Sequence, residues 1–538
     1  MSIWNKRRKE KRQNIPHIKM KNNQHRELNG KLEDTIYFIK EILGSNDDFV
    51  IRRFSIYGAH SAAICYFSNL VEQQTINYEV LKPLMKMPEY IDKDKLKNDR
   101  ILKVLAEEVL YHGEIKEESN LGKLIDAVLA GETILVIDGV TNAFHLDTYY
   151  VEKRAIAPPE TEQVIIGPRE GFIERLGTNL GLLRYRLPTA DFRVKTLKVG
   201  RLTKSKVAIC YLDGIADQAL VDEVESRLKK IDIDAVLDVG YLEQYIEDNH
   251  YTPFTQTLLT ERPDSTVGNL IEGRVAILVD GSPFTMLVPA VFNQFYQATE
   301  DYSTRFIMGS FTRFIRMFAL VFSLVFPALY VSFISFNPEL LPTEFAVAVA
   351  GGRAGVPYSA VIEVLILEGS MEILREATVR LPKQIGNALS IVGVLIIGQA
   401  AVQAGLSSPI TVVVIAITTI GSFATPVYNA SFALRALRFP LAILAGIFGL
   451  YGVMVGLIVI LNHMLSLKSF GVPYLSPTSP WNAQGMKDSV IRFPFWKMSF
   501  RPVMFHSTNK IRENTSKSSR TTQRQPLSSQ PNKDKRDD

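Results

Sequence analysis

At 538 residues the chain is too long for one ordinary hydrophobic core, and a formal net charge of only +5 gives no reason to expect a nucleic-acid partner. Hydrophobic residues at 46% and charged residues at 22% are averages over three unlike regions: a charged front, an apolar middle and a basic, polar end. Two cysteines, Cys65 and Cys210, exclude a disulfide framework and a cysteine-based metal site, and fit a reducing compartment.

Residues 1–32 carry the positive charges of a secretory leader with no apolar run behind them, so a basic, disordered extension is expected and the front is not exported. From residue 33 to 302, short β-branched runs such as "ETILVID" and "GRVAILVD" alternate with charged helical patterns such as "DQALVDEVESRLKKID", the text of a soluble α/β protein. This front repeats itself. "AAICYFSNL" around Cys65 parallels "VAICYLDG" around Cys210, and "ETILVIDG" ending at Gly139 parallels "RVAILVDG" ending at Gly281. The expectation is a duplicated α/β domain, with subdomains at 33–160 and 191–302. Between them, 161–190 is expected to be a connecting helix whose Arg169, Arg175, Arg184 and Arg186 offer a basic docking face. Both cysteines are expected to be buried filler. Asp138-Gly139 and Asp280-Gly281 are expected to mark turns.

Residues 303–470 are expected to form an all-α polytopic membrane domain, since about twenty apolar residues cross a hydrocarbon layer. The expected spans are 314–336, 385–404, 409–424 and 440–461, with 356–374 doubtful because of its polarity. Pro327 is expected to kink the first span. Gly452 and Gly456 supply a small-xxx-small pattern for close helix approach. A juxtamembrane region, 471–506, and a disordered basic tail, 507–538, complete the chain.

Arg305, Arg313 and Arg316 precede the first span, and "NPELLPTE" after it has no base, so the front belongs on the cytoplasmic side. Arg375, Arg380, Lys383, Arg435 and Arg438 put their loops on that side too. The count then needs the doubtful segment to cross. It also leaves the tail on the opposite side, against the tail's own Lys and Arg residues.

Three constellations carry functional expectations. Val392, Leu395, Gln399 and Gln403 fall along one helical side of "ALSIVGVLIIGQAAVQAGLSSP". Around an oligomer axis they would form an apolar constriction with wetter amide rings beside it; within one subunit the amides would tie helices together. Glu368, Glu372 and Glu376 repeat at i, i+4, i+8, with Glu363 deeper in the apolar part. They fit either a cation vestibule or a helix laced with salt bridges to Arg375 and Arg380. Arg353 and Pro357, in "AGGRAGVPYS", suit a hinge or re-entrant turn as well as a surface loop. Nucleotide-loop, zincin, nucleophile-elbow and paired-cysteine motifs do not occur. No catalytic residue, metal site or cofactor is expected, and the chain is not read as an enzyme.

Together "GPREGFIERLGTNLGLLRYRL", "EGRVAILVDGSPF", "FNQFYQATEDY", "NPELLPTE", "VPYSAVIEVLILEGSMEILREATVRLPKQIGNALSIVGVLIIGQAAVQAG" and "GSFATP" resemble the A subunit of spore germinant receptors of the GerA type, from about Leu32 to Trp496. The resemblance implies a multi-pass protein of the spore inner membrane with a two-part cytoplasmic front domain. It implies two partners, an amino-acid-transporter-like B subunit and a lipoprotein C subunit. It further implies a homo-oligomer of A subunits forming a nutrient-gated cation channel, with Val392, Leu395, Gln399 and Gln403 on the channel helix. A transporter-like protein using Glu363 and Arg353, or a membrane-anchored scaffold, are the alternatives that the residues leave open.

Overall fold

The structure, a computed structural model, describes residues 20, 25–86, 101–150, 158–380 and 398–512. Its front half is built from two α/β units of the same design. In the first, helix α1 (Leu32–Leu43) buries Leu32, Ile36, Ile39 and Leu43, positions that share one helical face. It packs on a five-stranded antiparallel sheet made of β1 (Phe49–Ile56), β2 (His60–Phe67), β3 (Ile115–Glu118), β4 (Thr133–Ile137) and β5 (Ala143–Leu146), in the order β1-β2-β4-β5-β3. Helix α2 (Leu121–Ala130) covers the same face as α1. Helical residues 73–85 and 101–109 cover the other. Every residue of β4 is buried, because Ile134 and Val136 enter one core while Leu135 and Ile137 enter the other. A run of four apolar residues, Ile134 to Ile137, without polar alternation is what such a two-sided strand requires.

The second unit opens with α3 (Leu176–Arg186), followed by β6 (Phe192–Val199), β7 (Ser205–Leu212), α4 (Gln218–Lys230), α5 (Val239–Ile246), β8 (Leu258–Thr260), α6 (Pro263–Glu272), β9 (Val275–Val279) and β10 (Thr285–Val288). Its strand order, β6-β7-β9-β10-β8, reproduces that of the first sheet. Cys65 and Cys210 occupy equivalent places in β2 and β7, both fully buried. The two Asp-Gly turns also correspond. Asp138 accepts the backbone N–H of Leu32 at 3.0 Å and Asp280 that of Leu176 at 3.1 Å, so each aspartate satisfies a free donor at the start of its unit's leading helix. Gly139 and Gly281, at φ +81° and +97°, let the chain turn there. Helix α3 is thus the counterpart of α1 in the second unit. Its Arg184 points inward, with its guanidinium on both oxygens of Asp48 at 2.5 and 2.6 Å and 3.8 Å above the Phe67 ring, and so fastens one unit to the other.

The back half is helical. α7 (Phe306–Ser335) leaves the second unit and, at 30 residues, extends about 45 Å. Beyond it lie α8 (Thr343–Arg353), α9 (Ala360–Val379), α10 (Pro409–Phe423) and α11 (Tyr428–Ser466). α10 runs antiparallel to α7, with the Thr411 hydroxyl 2.9 Å from that of Tyr330 at one end and Gly421 against Ala319 at the other. α9 descends beside the first part of α11: Val361 meets Gly446, Glu368 meets Arg438 and Glu372 meets Arg435.

The span expected at 440–461 is not one pass. At Gly449 the backbone is non-helical (φ +59°, ψ −142°), a conformation open essentially to glycine alone, and the chain folds back on itself. A Cβ on Gly456 would lie 2.6 Å from a Leu441 methyl, although fifteen residues of straight helix would separate the two by about 22 Å. The small residues therefore bring the two arms of α11 together. The second arm descends to the front domain, where His463 Nε2 lies 2.8 Å from the Thr252 hydroxyl.

This turn settles where the C-terminal region goes. β11 (Lys468–Ser469) and β12 (Val472–Pro473) form a hairpin on the second unit, where the Ser469 hydroxyl accepts from Ala290 N–H at 3.0 Å and donates to the Gln256 carbonyl at 2.6 Å. Farther on, Arg501 donates to Ile271 O at 2.7 Å and Ser507 to Glu272 O at 2.8 Å. The path leaves the domain on α7, returns on α9, reappears at Gly398 beside Val412, returns on α10, and leaves and returns on the arms of α11. Front domain and C-terminal region share one side. Among the described residues two helical stretches are long and apolar enough by length and composition to cross a membrane, Phe306–Ser335 and Asn429–Ser466, the second divided into two arms at Gly449.

An impermeant maleimide tests this topology, because the buried native cysteines leave little background. Cysteines placed at Leu202 and Trp481 are expected to label from one side of sealed vesicles and a cysteine at Leu340 from the other. Joint labelling of positions 481 and 340 would refute it.

Candidate functional site

Val392 and Leu395 lie outside the described residues. Gln399 and Gln403 stand one turn apart on helical residues 398–403, both exposed on the outside of the bundle, while Ala401 and Val402 between them are partly buried. The helix stops at Gly405 (φ +65°), where Leu406 N–H bonds back to the Ala401 carbonyl at 2.8 Å, a Schellman-type end. Among the described residues no hydrogen bond satisfies either amide, and an unpaired amide in hydrocarbon is costly.

Glu363 sits at the far end of the bundle and is 1% exposed. Its Oε1 takes Arg353 Nη2 at 2.9 Å, and its Oε2 takes the Ser408 backbone N–H at 3.0 Å and the Thr411 hydroxyl at 2.8 Å. Ser408 also caps α10 through Thr411 N–H at 3.3 Å. One carboxylate thus ties the end of α8, the first turn of α9 and the start of α10. The break between α8 and α9 covers residues 354–359, with Pro357 exposed in it and Arg353 as the strap across it.

The carboxylates along α9 meet arginines. Glu368, 6% exposed, faces Arg438 at 3.4 Å; Glu372 faces Arg435 at 3.2 Å and Arg375 at 3.6 Å; Glu376 pairs with Arg380 at 2.5 Å near the domain side. Sequence spacing points to Arg375 and Arg380. The partners from α11 are more than sixty residues away along the chain, and only antiparallel packing of α9 on α11 brings them in.

A second arginine cluster, which the sequence presents only as an orientation signal, joins the domain to the bundle. Asp301, 1% exposed, receives Arg313 Nε at 3.0 Å and Arg316 on both oxygens; its carbonyl takes Arg492 Nη1 at 2.6 Å. Arg313, itself fully buried, also reaches Asp488 at 2.8 Å, and Tyr302 donates to the same Asp488 at 2.9 Å. Beside this hub a cavity of 360 Å³ opens between the second unit and the α10–α11 loop, lined by Glu162, Arg274, Gln294, Tyr302, Pro426 and Val427. Burial pushes the Glu162 carboxyl up to about 7 against the pull of its hydrogen bond from Thr260, and burial lowers the Arg274 guanidinium to about 10. Tyr302, Asp301, the start of α7 and the C-terminal region thus share one buried ion-pair network.

The family model described as Bacillus/Clostridium GerA spore germination protein matches residues 37–504. Spore germination protein KA of Bacillus subtilis (strain 168) is 40% identical over 488 residues, covering 90% of this chain and 89% of that protein. The membrane protein YfkQ of the same organism is 38% identical, covering 91% and 94%. Spore germination protein GerLA of Bacillus cereus is 36% identical, covering 88% and 96%. The crystal structure of the N-terminal domain of the A subunit of the Bacillus megaterium spore germinant receptor GerK3 matches 49% of this chain and 97% of its own, at 35% identity and a TM-score of 0.38.

Proposed function

The chain belongs to the GerA family of spore germination proteins, and from that premise we propose that it is the subunit through which a nutrient receptor conducts cations. As a germinant-receptor A subunit it works in a complex with other subunits. In the proposed assembly these are a transporter-like B subunit that takes the nutrient and a lipoprotein C subunit, in the spore inner membrane with the front domain in the cytoplasm. Several A subunits surround a common axis. The observation that carries this reading is the outward exposure of Gln399 and Gln403 from an otherwise apolar stretch. Amides turned away from their own bundle need water or a neighbouring copy, and a ring of copies supplies both. Val392 and Leu395 then form the apolar constriction of that ring. Of the carboxylates expected at a vestibule, Glu372 and Glu376, matched by arginines, contribute a charge-compensated lining, while Glu368 is buried behind them against Arg438 and Glu363, buried at the far end, forms with Arg353 and Pro357 the joint against which α9 moves.

Potassium flux from proteoliposomes, measured with and without the partner subunits, tests the proposal. Val392→Ser is expected to raise nutrient-independent flux roughly tenfold by wetting the constriction, and spores carrying it to leak ions in dormancy. Solute-coupled exchange without ion flux favours a transporter. Inert vesicles with every subunit present favour a scaffold, and either result refutes conduction.

A further inference from the structure

α7 starts with a two-faced segment. Arg313 and Arg316 point into the hub, while Ile307, Phe311, Phe314 and Phe318, spaced at i, i+4, i+7 and i+11, make one exposed stripe. The stripe continues in register into the apolar body of the helix, where Val321 is also exposed. At its foot lies a stretch from the other end of the chain, "IRFPFWKMSF" (491–500). Trp496 meets the Phe306 ring edge to face at 6.1 Å and is still 61% exposed, and Lys497 beside it is exposed. This stretch is held from behind: the Arg492 guanidinium donates to the Asp301 and Thr304 carbonyls and stacks 4.5 Å from the Phe495 ring. From Ile491 to Arg512 the sequence carries Arg492, Lys497, Arg501, Lys510 and Arg512 and not one Asp or Glu.

We propose that residues 491–500, clamped to the first turns of α7, lie in the headgroup–acyl boundary of an anionic leaflet on the domain side. Two arguments select lipid as the occupant. The apolar stripe is continuous with the surface of a helix long enough to span, so a membrane around α7 meets Trp496 as it ends. An exposed Trp with exposed Lys497 beside it and exposed Arg305 across the same cleft suits a boundary that is apolar on one side and negatively charged on the other. The anchor sits on the hub. It therefore fixes the height of Asp301 and the second α/β unit above the bilayer, so that movement of the domain turns about a point held by lipid.

The inference rests on α7 spanning a membrane and not on conduction. The full chain carrying Trp4→Phe and Trp481→Phe, reconstituted in phosphatidylglycerol-rich vesicles, leaves Trp496 as the sole indole; retention after carbonate washing reports separately on the spanning helices. Lipid brominated near the headgroup end of the acyl chain is expected to reduce emission by roughly half, and lipid brominated near the methyl end by much less. Aqueous iodide is expected to quench weakly. Lys497→Glu, at an exposed position, is expected to weaken the lipid quenching in phosphatidylglycerol vesicles and not in neutral ones. Full iodide access without lipid quenching would overturn the proposal, as would shielding from both quenchers, the mark of a second protein copy over the patch.

Discussion

Asp301→Ala is expected to destabilise the junction by about 3–5 kcal/mol, the range for leaving buried charge without its partner. The aspartate is 1% exposed and serves Arg313 and Arg316 together, so its removal strands two cations, one of them fully buried. Asp488 compensates only Arg313, and from a half-open position. The loss is expected in thermal unfolding of detergent-solubilised protein and as faster proteolysis between the second unit and α7. A companion variant, Asp301→Leu with Arg313→Met and Arg316→Met, separates charge from packing. It removes Asp301 with both of its bases, leaves only the partly exposed Asp488 to lose its Arg313 contact, and is expected to be more stable than Asp301→Ala, because replacing buried ionic partners together by apolar groups is often nearly neutral. Spores with the triple variant nevertheless lose the link that makes the domain and α7 move as one, and their nutrient response is expected to fall with the fold intact. A triple variant no more stable than the single one would show that the hub holds by shape and not by charge.

The architecture is written in local patterns, and its joints are not. β4 and β9 announce themselves as unbroken apolar runs, and the repeat around Cys65 and Cys210 foreshadows two sheets of one strand order. The Asp-Gly pairs are legible as turns, yet their aspartates act by receiving helices α1 and α3, each about a hundred residues away in sequence. Arg184 illustrates a wider limit. Among Arg169, Arg175 and Arg186 it looks like part of a basic face, but Asp48 and Phe67 exist as its partners only once both units are folded. Charge counting over loops places Arg313, Arg316, Arg435 and Arg438 on one side together, and the structure sets all four at the domain end of the bundle; the counting misses that Arg313, Arg435 and Arg438 are buried in ion pairs and that Arg316 is paired with Asp301. The tail's conflicting charge came from reading α11 as one pass. Gly449 resolves it through a backbone conformation that hydropathy does not register. Of the site residues, Gln399 and Gln403 are recognisable because amides are rare in such text; Ser408 and Thr411, which complete the Glu363 network, are ordinary in composition and give no signal.

Glu363→Gln is expected to cost about 2–4 kcal/mol, a large effect for replacing one oxygen by nitrogen. Both carboxylate oxygens accept, from the Arg353 guanidinium on one side and from Ser408 N–H and the Thr411 hydroxyl on the other. A glutamine can satisfy one side, but its amide N–H₂ then faces a donor on the other, so the penalty combines a lost charge pair with a donor–donor clash. If Arg353 is the strap across the α8–α9 break, Arg353→Gln should cost less on its own and much less in the Glu363→Gln background. The double-mutant cycle then returns a coupling of about 1–3 kcal/mol, read from thermal unfolding of the four proteins in one detergent. Function gives an independent reading. Loosening the far end of α9 while its arginine ladder to α11 remains is expected to raise nutrient-independent ion loss without lowering the amount of protein in the membrane. Additive single costs would mean that Ser408 and Thr411 hold α9 without the arginine, and the flexible joint would then lie between α8 and the rest of the bundle.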